Sequence, residues 1–235
     1  MIDAPPILVF DLDGTLADTA PDLVGTLNVL MRREGLKRVP VGAARAMVGA
    51  GARALIERGF AHSAAPLAPE RVAPLVAEFL AHYEDHIADE TRLFPGAEDA
   101  LAQLAAAGFR FAVCTNKPER LARLLLARLG VAERFAAICG RETFPMHKPD
   151  GRTLLLAIHA ARGRPERAVM VGDSKIDIDT ARNAGVPVTA VDFGYTDTPV
   201  AELGPDRIIS HFDELWEAAT ALLGQVAGKG AQPRT

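Results

Sequence analysis

The chain has few cysteines, little net charge and no long apolar run, and each shortage excludes a class of protein. Its 235 residues contain two cysteines, Cys114 and Cys139, which are too few for a disulfide framework, and no Cys/His cluster has zinc-site spacing. A net charge of −4 lacks the broad positive field of a protein dedicated to nucleic acids or membrane surfaces. No stretch has the length of a membrane span or the form of a secretory signal. We therefore expect a cytoplasmic protein without nucleic-acid or membrane partners.

Short apolar runs alternate with segments of helical periodicity. With 49% apolar and 24% charged residues, the composition is that of an ordinary folded domain. The runs are apolar at nearly every position, which is typical of parallel strands covered on both faces. This order predicts an α/β fold, with a doubly wound, mainly parallel Rossmann-like sheet and helices on both faces. The predicted strands are 7–10, 109–114, 168–171 and 187–191, with weaker candidates at 135–139 and 207–210.

One long stretch interrupts this alternation. Between the first two predicted strands the sequence has helical periodicity and no convincing strand, over far more residues than a crossover needs. We predict that residues 19–91 form an all-helical subdomain inserted after the first strand, and that residues 1–18 and 92–223 form the α/β core. Residues 224–235 are rich in glycine, proline and polar side chains, so we expect a disordered tail.

The strongest chemical signal is a pair of carboxylates directly after the first predicted strand. Asp11 and Asp13 lie in the segment DLDGT. In open α/β sheets, ligands bind beyond the carboxyl ends of the strands. Two carboxylates so close repel each other unless a cation or a shared proton intervenes, and Mg²⁺ prefers hard oxygen ligands. The alternative is an aspartate-rich turn that caps the following helix.

A second acidic segment follows the predicted strand 168–171. Asp173 is far from Asp11 in sequence, but parallel strands would bring both to one edge of the sheet, so we interpret Asp173 as a metal ligand. Asp177 and Asp179 come next. Carboxylates there also favour the N-terminus of a helix, and we keep that interpretation for Asp179.

Two further polar segments complete the set. Thr115 and Asn116 follow the strand 109–114 and precede a helix that opens at Lys117-Pro118. A hydroxyl, an amide and free N–H groups at a helix N-terminus can cradle a phosphate, although either residue could instead be an N-cap. Lys148 lies in a loop, where a single lysine is usually solvated surface.

Taken in order, these segments resemble the motifs of the haloacid dehalogenase superfamily, in its phosphatase branch. That pattern is Asp-x-Asp-Gly-Thr, a serine or threonine, a lysine, and Gly-Asp-x-x-x-Asp, and all four occur between residue 7 and about residue 223. The resemblance implies that Asp11 is the nucleophile that becomes an aspartyl-phosphate, and that Asp13 is the general acid and base. It implies Mg²⁺ held by Asp11, the main-chain carbonyl of Asp13, and Asp173.

The same resemblance implies roles for the remaining residues. Thr115, Asn116 and Lys148 would hold phosphoryl oxygens, and Asp177 would order Lys148 or a metal-bound water. The inserted helices correspond to the family's mobile cap, which excludes water and selects the substrate.

A glycine-rich segment lies within the predicted cap. Residues 49–54 formally fit the dinucleotide fingerprint Gly-x-Gly-x-x-Ala, but no strand precedes them, so we favour a glycine turn that opens a helix. The segment looks like the cap of the phosphoglycolate phosphatases, with Gly51 in the turn and Arg53 near a substrate carboxylate. A solvent-facing Arg53 is the alternative.

The function implied by this resemblance is Mg²⁺-dependent hydrolysis of a small phosphorylated metabolite, with 2-phosphoglycolate as substrate and glycolate as product. A sugar-phosphate phosphatase or a phosphomutase of the same superfamily would use the same core residues. A non-catalytic phospho-acceptor switch is a more distant alternative, because Asp13 beside an aspartyl-phosphate would promote its turnover. We expect a monomer or a homodimer.

Overall fold

A six-stranded parallel sheet forms the centre of the α/β core. The computed structural model describes residues 4–44, 47–196 and 198–229. Its strands are β1 Ile7–Phe10, β2 Ala17–Asp18, β3 Arg92–Leu93, β4 Arg110–Cys114, β5 Ala137–Cys139, β6 Ala168–Gly172, β7 Val188–Val191 and β8 Arg207–Ile209. Its α-helices are α1 Ala20–Arg33, α2 Val41–Ala44, α3 Ala52–His62, α4 Pro69–Asp85, α5 Ala97–Ala106, α6 Glu119–Arg128, α7 Gly151–Ala160, α8 Lys175–Ala184 and α9 Leu215–Lys229.

The order of the strands places β1 at the middle of the sheet. The order is β5-β4-β1-β6-β7-β8, and every neighbouring pair is parallel. All four residues of β1 are fully buried, as expected for a strand covered on both faces. Phe10, the last residue of β1, is in register with Val113 of β4 and Val171 of β6. The residues that follow these three strands therefore emerge at one edge.

Helices cover both faces of the sheet. Leu8 and Phe10 pack into a cluster with residues of α5, α6 and α9, while Ile7 and Val9 pack into a second cluster with residues of α7 and α8. The alternation follows from the two-residue period of a strand. The sequence-based prediction of a doubly wound α/β fold is confirmed, and the two weaker strand candidates are the edge strands β5 and β8.

Among the described residues, four α-helices, α1 to α4, lie between β2 and β3, in the segment predicted to be the cap. Apolar residues of α1, α3 and α4, among them Leu27, Ile56 and Phe79, are buried in a cluster continuous with one face of the core. The chain enters and leaves the cap through β2 and β3, which pair antiparallel, with Ala17 opposite Leu93. These two-residue strands were not predicted, because they are too short to show a periodicity.

The C-terminal helix is longer than the sequence suggests. Helix α9 continues to Lys229 and so extends into residues 224–235, for which the sequence predicts a disordered tail. A glycine inside a helix is disfavoured by only about 1 kcal/mol relative to alanine, and α9 is anchored by buried Leu215, Ala219 and Leu222. The remainder of that tail, residues 230–235, lies outside the described residues. Within the described parts of the chain, no helix is long and apolar enough to cross a membrane.

Candidate active site

Three polar side chains emerge where β1, β4 and β6 end. The N–H of Asp11 donates to the carbonyl of Val171 at 2.9 Å, and the N–H of Thr115 donates to the carbonyl of Cys139 at 3.0 Å. These bonds prolong the strand ladder, so the backbone at both positions is held as firmly as in the strands themselves. Asp173 directly follows β6, and all three residues are buried. The structure thus brings together residues that the sequence separates widely.

Asp11, Asp173 and Asp177 form a buried carboxylate cluster. Each offers an oxygen, and these three atoms lie within 4.8 Å of one another. Burial, which Lys148 only partly offsets, raises the pKa of Asp11 to about 6. Burial, together with the charges of Asp177 and Asp11, raises the pKa of Asp173 to about 8. A divalent cation would remove this repulsion, and an oxygen-only donor set suits Mg²⁺.

The individual contacts show which of these carboxylates could hold a cation. Both oxygens of Asp177 are engaged: Oδ1 accepts from Lys148 Nζ at 2.6 Å, and Oδ2 accepts from the N–H groups of Asp173 and Ser174. Asp11 Oδ1, in contrast, accepts no hydrogen bond of normal geometry from the described residues, although Lys148 Nζ lies 2.9 Å away. Of the three carboxylates, Asp11 therefore has the oxygen most available to a metal, and Asp177 fits a role in ordering Lys148.

Asp173 is held by two residues that the sequence analysis did not single out for this role. The hydroxyl of Thr15 donates to Asp173 Oδ1 at 2.7 Å, and the N–H of Tyr195 donates to Asp173 Oδ2 at 2.7 Å. Thr15 lies in the same segment as Asp11, and Tyr195 lies in the loop after β7. These two bonds fix the orientation of the carboxylate at the sheet edge.

Lys148 is buried between two carboxylates rather than exposed on a loop. Burial by itself would lower its pKa, but Asp11 and Asp177 outweigh that effect and raise the pKa, so the ammonium stays charged. Its main-chain carbonyl accepts from Asn116 Nδ2 at 3.2 Å. A buried, permanently charged ammonium beside Asp11 is suited to stabilise phosphoryl oxygens.

Thr115 and Asn116 do not cap the helix that follows them. The N-cap of α6 is Pro118, and the first N–H of the helix, that of Glu119, donates to Glu142 Oε1 at 3.0 Å. The Thr115 hydroxyl instead accepts from the N–H of Lys117 at 3.2 Å. Thr115 and Asn116 line the cleft between core and cap, as a phosphate-binding segment requires. The N-cap alternative is therefore wrong.

The cleft is bounded by the sheet edge on one side and by the cap on the other. It holds about 500 Å³ of space, part of it open to solvent, and its cap wall is mainly apolar. The cap residues that line it are Leu23, Val48, Gly49, Gly51, Ala52, Leu55, Phe79, Leu80 and Tyr83. An apolar wall opposite buried charges excludes water and strengthens the electrostatic interactions within the cleft.

Comparison with known proteins identifies the family. A family model described as "Haloacid dehalogenase-like hydrolase" matches residues 8–191. The chain belongs to this family. A phosphoglycolate phosphatase of Caulobacter vibrioides is 48% identical over 216 residues, which are 92% of this chain and 91% of the relative. One of Mesorhizobium japonicum is 47% identical over 223 residues, which are 95% and 98% of the two chains.

A solved structure agrees with these sequence relatives. The crystal structure of a predicted phosphoglycolate phosphatase from Haemophilus somnus matches with a TM-score of 0.84 at 26% identity, and the match covers 93% of this chain and 99% of that one. This chain is thus a haloacid dehalogenase-like hydrolase of the phosphatase class, as its sequence predicts.

Of the two cap residues predicted to meet the substrate, the structure of this hydrolase brings only one to the cleft. Gly51 lines the cleft and precedes α3 with a positive φ of 92°, a conformation that favours glycine. Arg53 does not line it. Its side chain is 70% exposed and pairs with Glu57 at 2.8 Å. Leu55 faces the cleft, and position 53 lies about 200° away from it around the helix, so the solvent-facing alternative is correct for Arg53.

Sequence reasoning missed a lysine at the floor of this hydrolase's cleft. Lys117 is buried, and its Nζ lies 2.9 Å from Asp13 Oδ1 and 2.8 Å from the hydroxyl of Tyr83 in α4. Its position directly after Thr115 and Asn116 was a sequence signal for a place near the site. The neighbouring sequence, however, gave no sign that Tyr83 would contact it. Asp179, by contrast, lies in the second turn of α8 and pairs there with Lys175, so its interpretation as a carboxylate at the helix N-terminus was wrong.

Proposed function

We propose that this enzyme hydrolyses 2-phosphoglycolate to glycolate and phosphate in a Mg²⁺-dependent reaction through an aspartyl-phosphate on Asp11. The observation that carries the proposal is the meeting of buried Asp11, Asp173 and Lys148 at one sheet edge, beneath a cleft that suits a small substrate. The names of the Caulobacter and Mesorhizobium relatives support the choice of substrate.

Asp11 and Asp13 divide the chemistry between them. A carboxylate oxygen of Asp11 attacks phosphorus, the bond from phosphorus to the glycolate oxygen breaks, and the carboxyl of Asp13 gives its proton to the leaving oxygen. Asp13, now ionised, takes a proton from water as the water oxygen attacks the aspartyl-phosphate. The products are phosphate, a regenerated Asp11 carboxylate and a reprotonated Asp13, so the cycle closes.

Five further residues take part in holding the phosphoryl group and its counter-ion. Thr115, Asn116 and Lys148 bind the phosphoryl oxygens, and Asp177 keeps Lys148 in place through their 2.6 Å contact. Asp11, the main-chain carbonyl of Asp13, and Asp173 would hold Mg²⁺. When bound, this ion would offset the charge of the carboxylates and of the phosphoryl group.

The cap supplies the wall that decides which leaving group fits. Leu55 and Phe79 of this wall offer no polar atoms to the part of the substrate that leaves. Gly51 has no side chain and so leaves space at its part of the wall. A sugar has several hydroxyl groups that would each need a polar partner, whereas a short acid has one charged group to pair.

The test is phosphate release from a panel of phosphomonoesters, assayed with Mg²⁺ and with EDTA, with Asp11→Asn as the blank. We expect 2-phosphoglycolate to give the highest kcat/KM, and we expect EDTA and Asp11→Asn each to abolish release. A sugar phosphate at the head of the panel would overturn the assigned substrate. Isomerisation of a sugar phosphate without release would indicate a phosphomutase, and a stable phosphoprotein without turnover would indicate a switch.

A further inference from the structure

Lys117 occupies a place that the reaction above does not use. It follows Thr115 and Asn116 at the end of β4, and only 3% of its side chain is exposed. Its Nζ also lies 4.4 Å from the ring centroid of Tyr83. A lysine so deeply buried loses the stabilisation of its charge by water. Contacts of the ammonium with Asp13 and Tyr83 replace that stabilisation.

The ammonium of Lys117 is suited to bind an anion in the cleft. Among the described residues that line the cleft, it is the one basic side chain. An ammonium has three N–H donors, and described residues accept from two of them, namely Asp13 and Tyr83. The hydroxyl of Tyr83, which accepts from Lys117, still has its own proton to donate. Both groups can therefore reach a further acceptor without losing their present partners.

The ammonium of Lys117 also lies beside the leaving group of the proposed reaction. Its Nζ is 2.9 Å from Asp13 Oδ1, and Asp13 is the residue proposed to protonate the leaving oxygen. A group on the leaving side of the substrate, only a few bonds from phosphorus, would therefore meet this ammonium. A two-carbon phosphorylated acid carries its carboxylate there.

We infer that Lys117 and Tyr83 form the subsite for the substrate's carboxylate, with the ammonium as its counter-ion and the tyrosine hydroxyl as a second donor. The inference rests on the proposed function and names the residues that give it specificity. Arg53, which the sequence suggested for this role, lies outside the cleft. Because Lys117 is on the core and Tyr83 is on the cap, a bound carboxylate would join the two parts of the enzyme.

The test compares 2-phosphoglycolate with ethyl phosphate, in which a methyl group replaces the carboxylate. For wild type and for Lys117→Met, kcat and KM are measured on both substrates at saturating Mg²⁺. We expect Lys117→Met to reduce the preference for 2-phosphoglycolate, the ratio of the two kcat/KM values, by roughly 10- to 100-fold, as expected for loss of a charged hydrogen bond. Lys37→Met, at an exposed lysine of the cap, is the matched control and should keep the wild-type ratio.

An equal loss on both substrates would overturn the inference, because it would mean that Lys117 acts only through Asp13. Tyr83→Phe gives a second readout: we expect KM to rise several-fold more for 2-phosphoglycolate than for ethyl phosphate. If Lys117→Met does not fold, Tyr83→Phe decides the matter alone, and an unchanged KM for 2-phosphoglycolate contradicts the subsite. A wild-type enzyme without preference for 2-phosphoglycolate would instead refute the proposed function, before any variant is measured.

Discussion

The main-chain N–H of Tyr195 donates a 2.7 Å hydrogen bond to Asp173 Oδ2, and the side chain of the same tyrosine reaches the base of the cap. Its hydroxyl donates to Asp18 in β2 and accepts from the N–H of Ala20, the first residue of α1. One residue therefore connects the carboxylate proposed to bind Mg²⁺ with the point where the chain enters the cap.

Tyr195→Phe tests this connection. The ring is kept, but the buried N–H of Ala20 loses its acceptor, so we expect the free energy of unfolding to fall by about 1–3 kcal/mol. Urea unfolding with and without Mg²⁺ measures it. A variant within about 0.5 kcal/mol of wild type would show that the hydroxyl does not hold the base of the cap.

Gly194→Ala tests how closely Asp173 is confined. A Cβ at position 194 would lie 2.2 Å from Asp173 Cβ and 2.6 Å from its Oδ2, so the carboxylate would have to move. We expect kcat/KM and Mg²⁺ affinity to fall roughly 10- to 100-fold. Steady-state kinetics over a range of Mg²⁺ concentrations measures both.

Gly25→Ala is the matched control for that substitution. Gly25 is exposed in α1, and a Cβ there would meet nothing within 4 Å. We expect unchanged kinetics and an increase in stability of up to about 1 kcal/mol. Wild-type Mg²⁺ affinity in Gly194→Ala would contradict the assignment of Asp173 as a metal ligand.

Asp177→Asn tests the buried pair with Lys148. The amide keeps the shape of the carboxylate but removes one of the two charges that balance the ammonium, so we expect a loss of about 3 kcal/mol in stability and a marked loss of kcat. Asp179→Asn, on the exposed side of the same helix, should stay within about 0.5 kcal/mol of wild type. Equal effects of the two substitutions on unfolding and on kcat would refute the role given to Asp177.

Metal binding should depend on pH in a defined direction. Without metal, the pKa values of about 6 for Asp11 and about 8 for Asp173 lie above the ordinary 3.8, so ionising these groups disfavours the folded state as pH rises. Mg²⁺ must displace their protons at low pH, and it relieves their repulsion at high pH. We therefore expect a larger increase in Tm on adding Mg²⁺ at pH 8 than at pH 6.

Thermal unfolding with Mg²⁺ or with EDTA at the two pH values measures this difference. At a hundred times its Kd, Mg²⁺ would add about 2.7 kcal/mol of stability. Asp173→Asn is the control and should lose most of the Mg²⁺ effect at both pH values. An equal or larger effect of Mg²⁺ at pH 6 in the wild type would contradict the account of the carboxylate cluster.

The strand ends of the core were predictable because each is preceded by a run that is apolar at nearly every position. Such runs can be recognised in a single sequence. Because parallel pairing brings their ends to one edge of the sheet, the sequence predicts that Asp11, Thr115 and Asp173 lie together. Lys148 had no such signal. A single loop lysine resembles ordinary surface, and only the resemblance to a family pointed to it.

Contacts between core and cap could not be predicted from local patterns. Lys117 meets Tyr83 only because α4 folds back over the end of β4, and no periodicity encodes that approach. Arg53 was misplaced for a different reason. The glycine turn before it was recognised, but the direction of its side chain depends on which face of α3 packs inward, and Leu55 faces the cleft on the side away from Arg53.

The most direct test of the account is to trap the phosphorylated enzyme. Wild-type enzyme with Mg²⁺ is mixed with 2-phosphoglycolate labelled in its phosphoryl group and quenched in acid within the first turnover, and the labelled peptide is mapped. We expect label that hydroxylamine releases, on the peptide containing Asp11, and none in Asp11→Asn. Rapid release of phosphate without label on Asp11 would contradict the account.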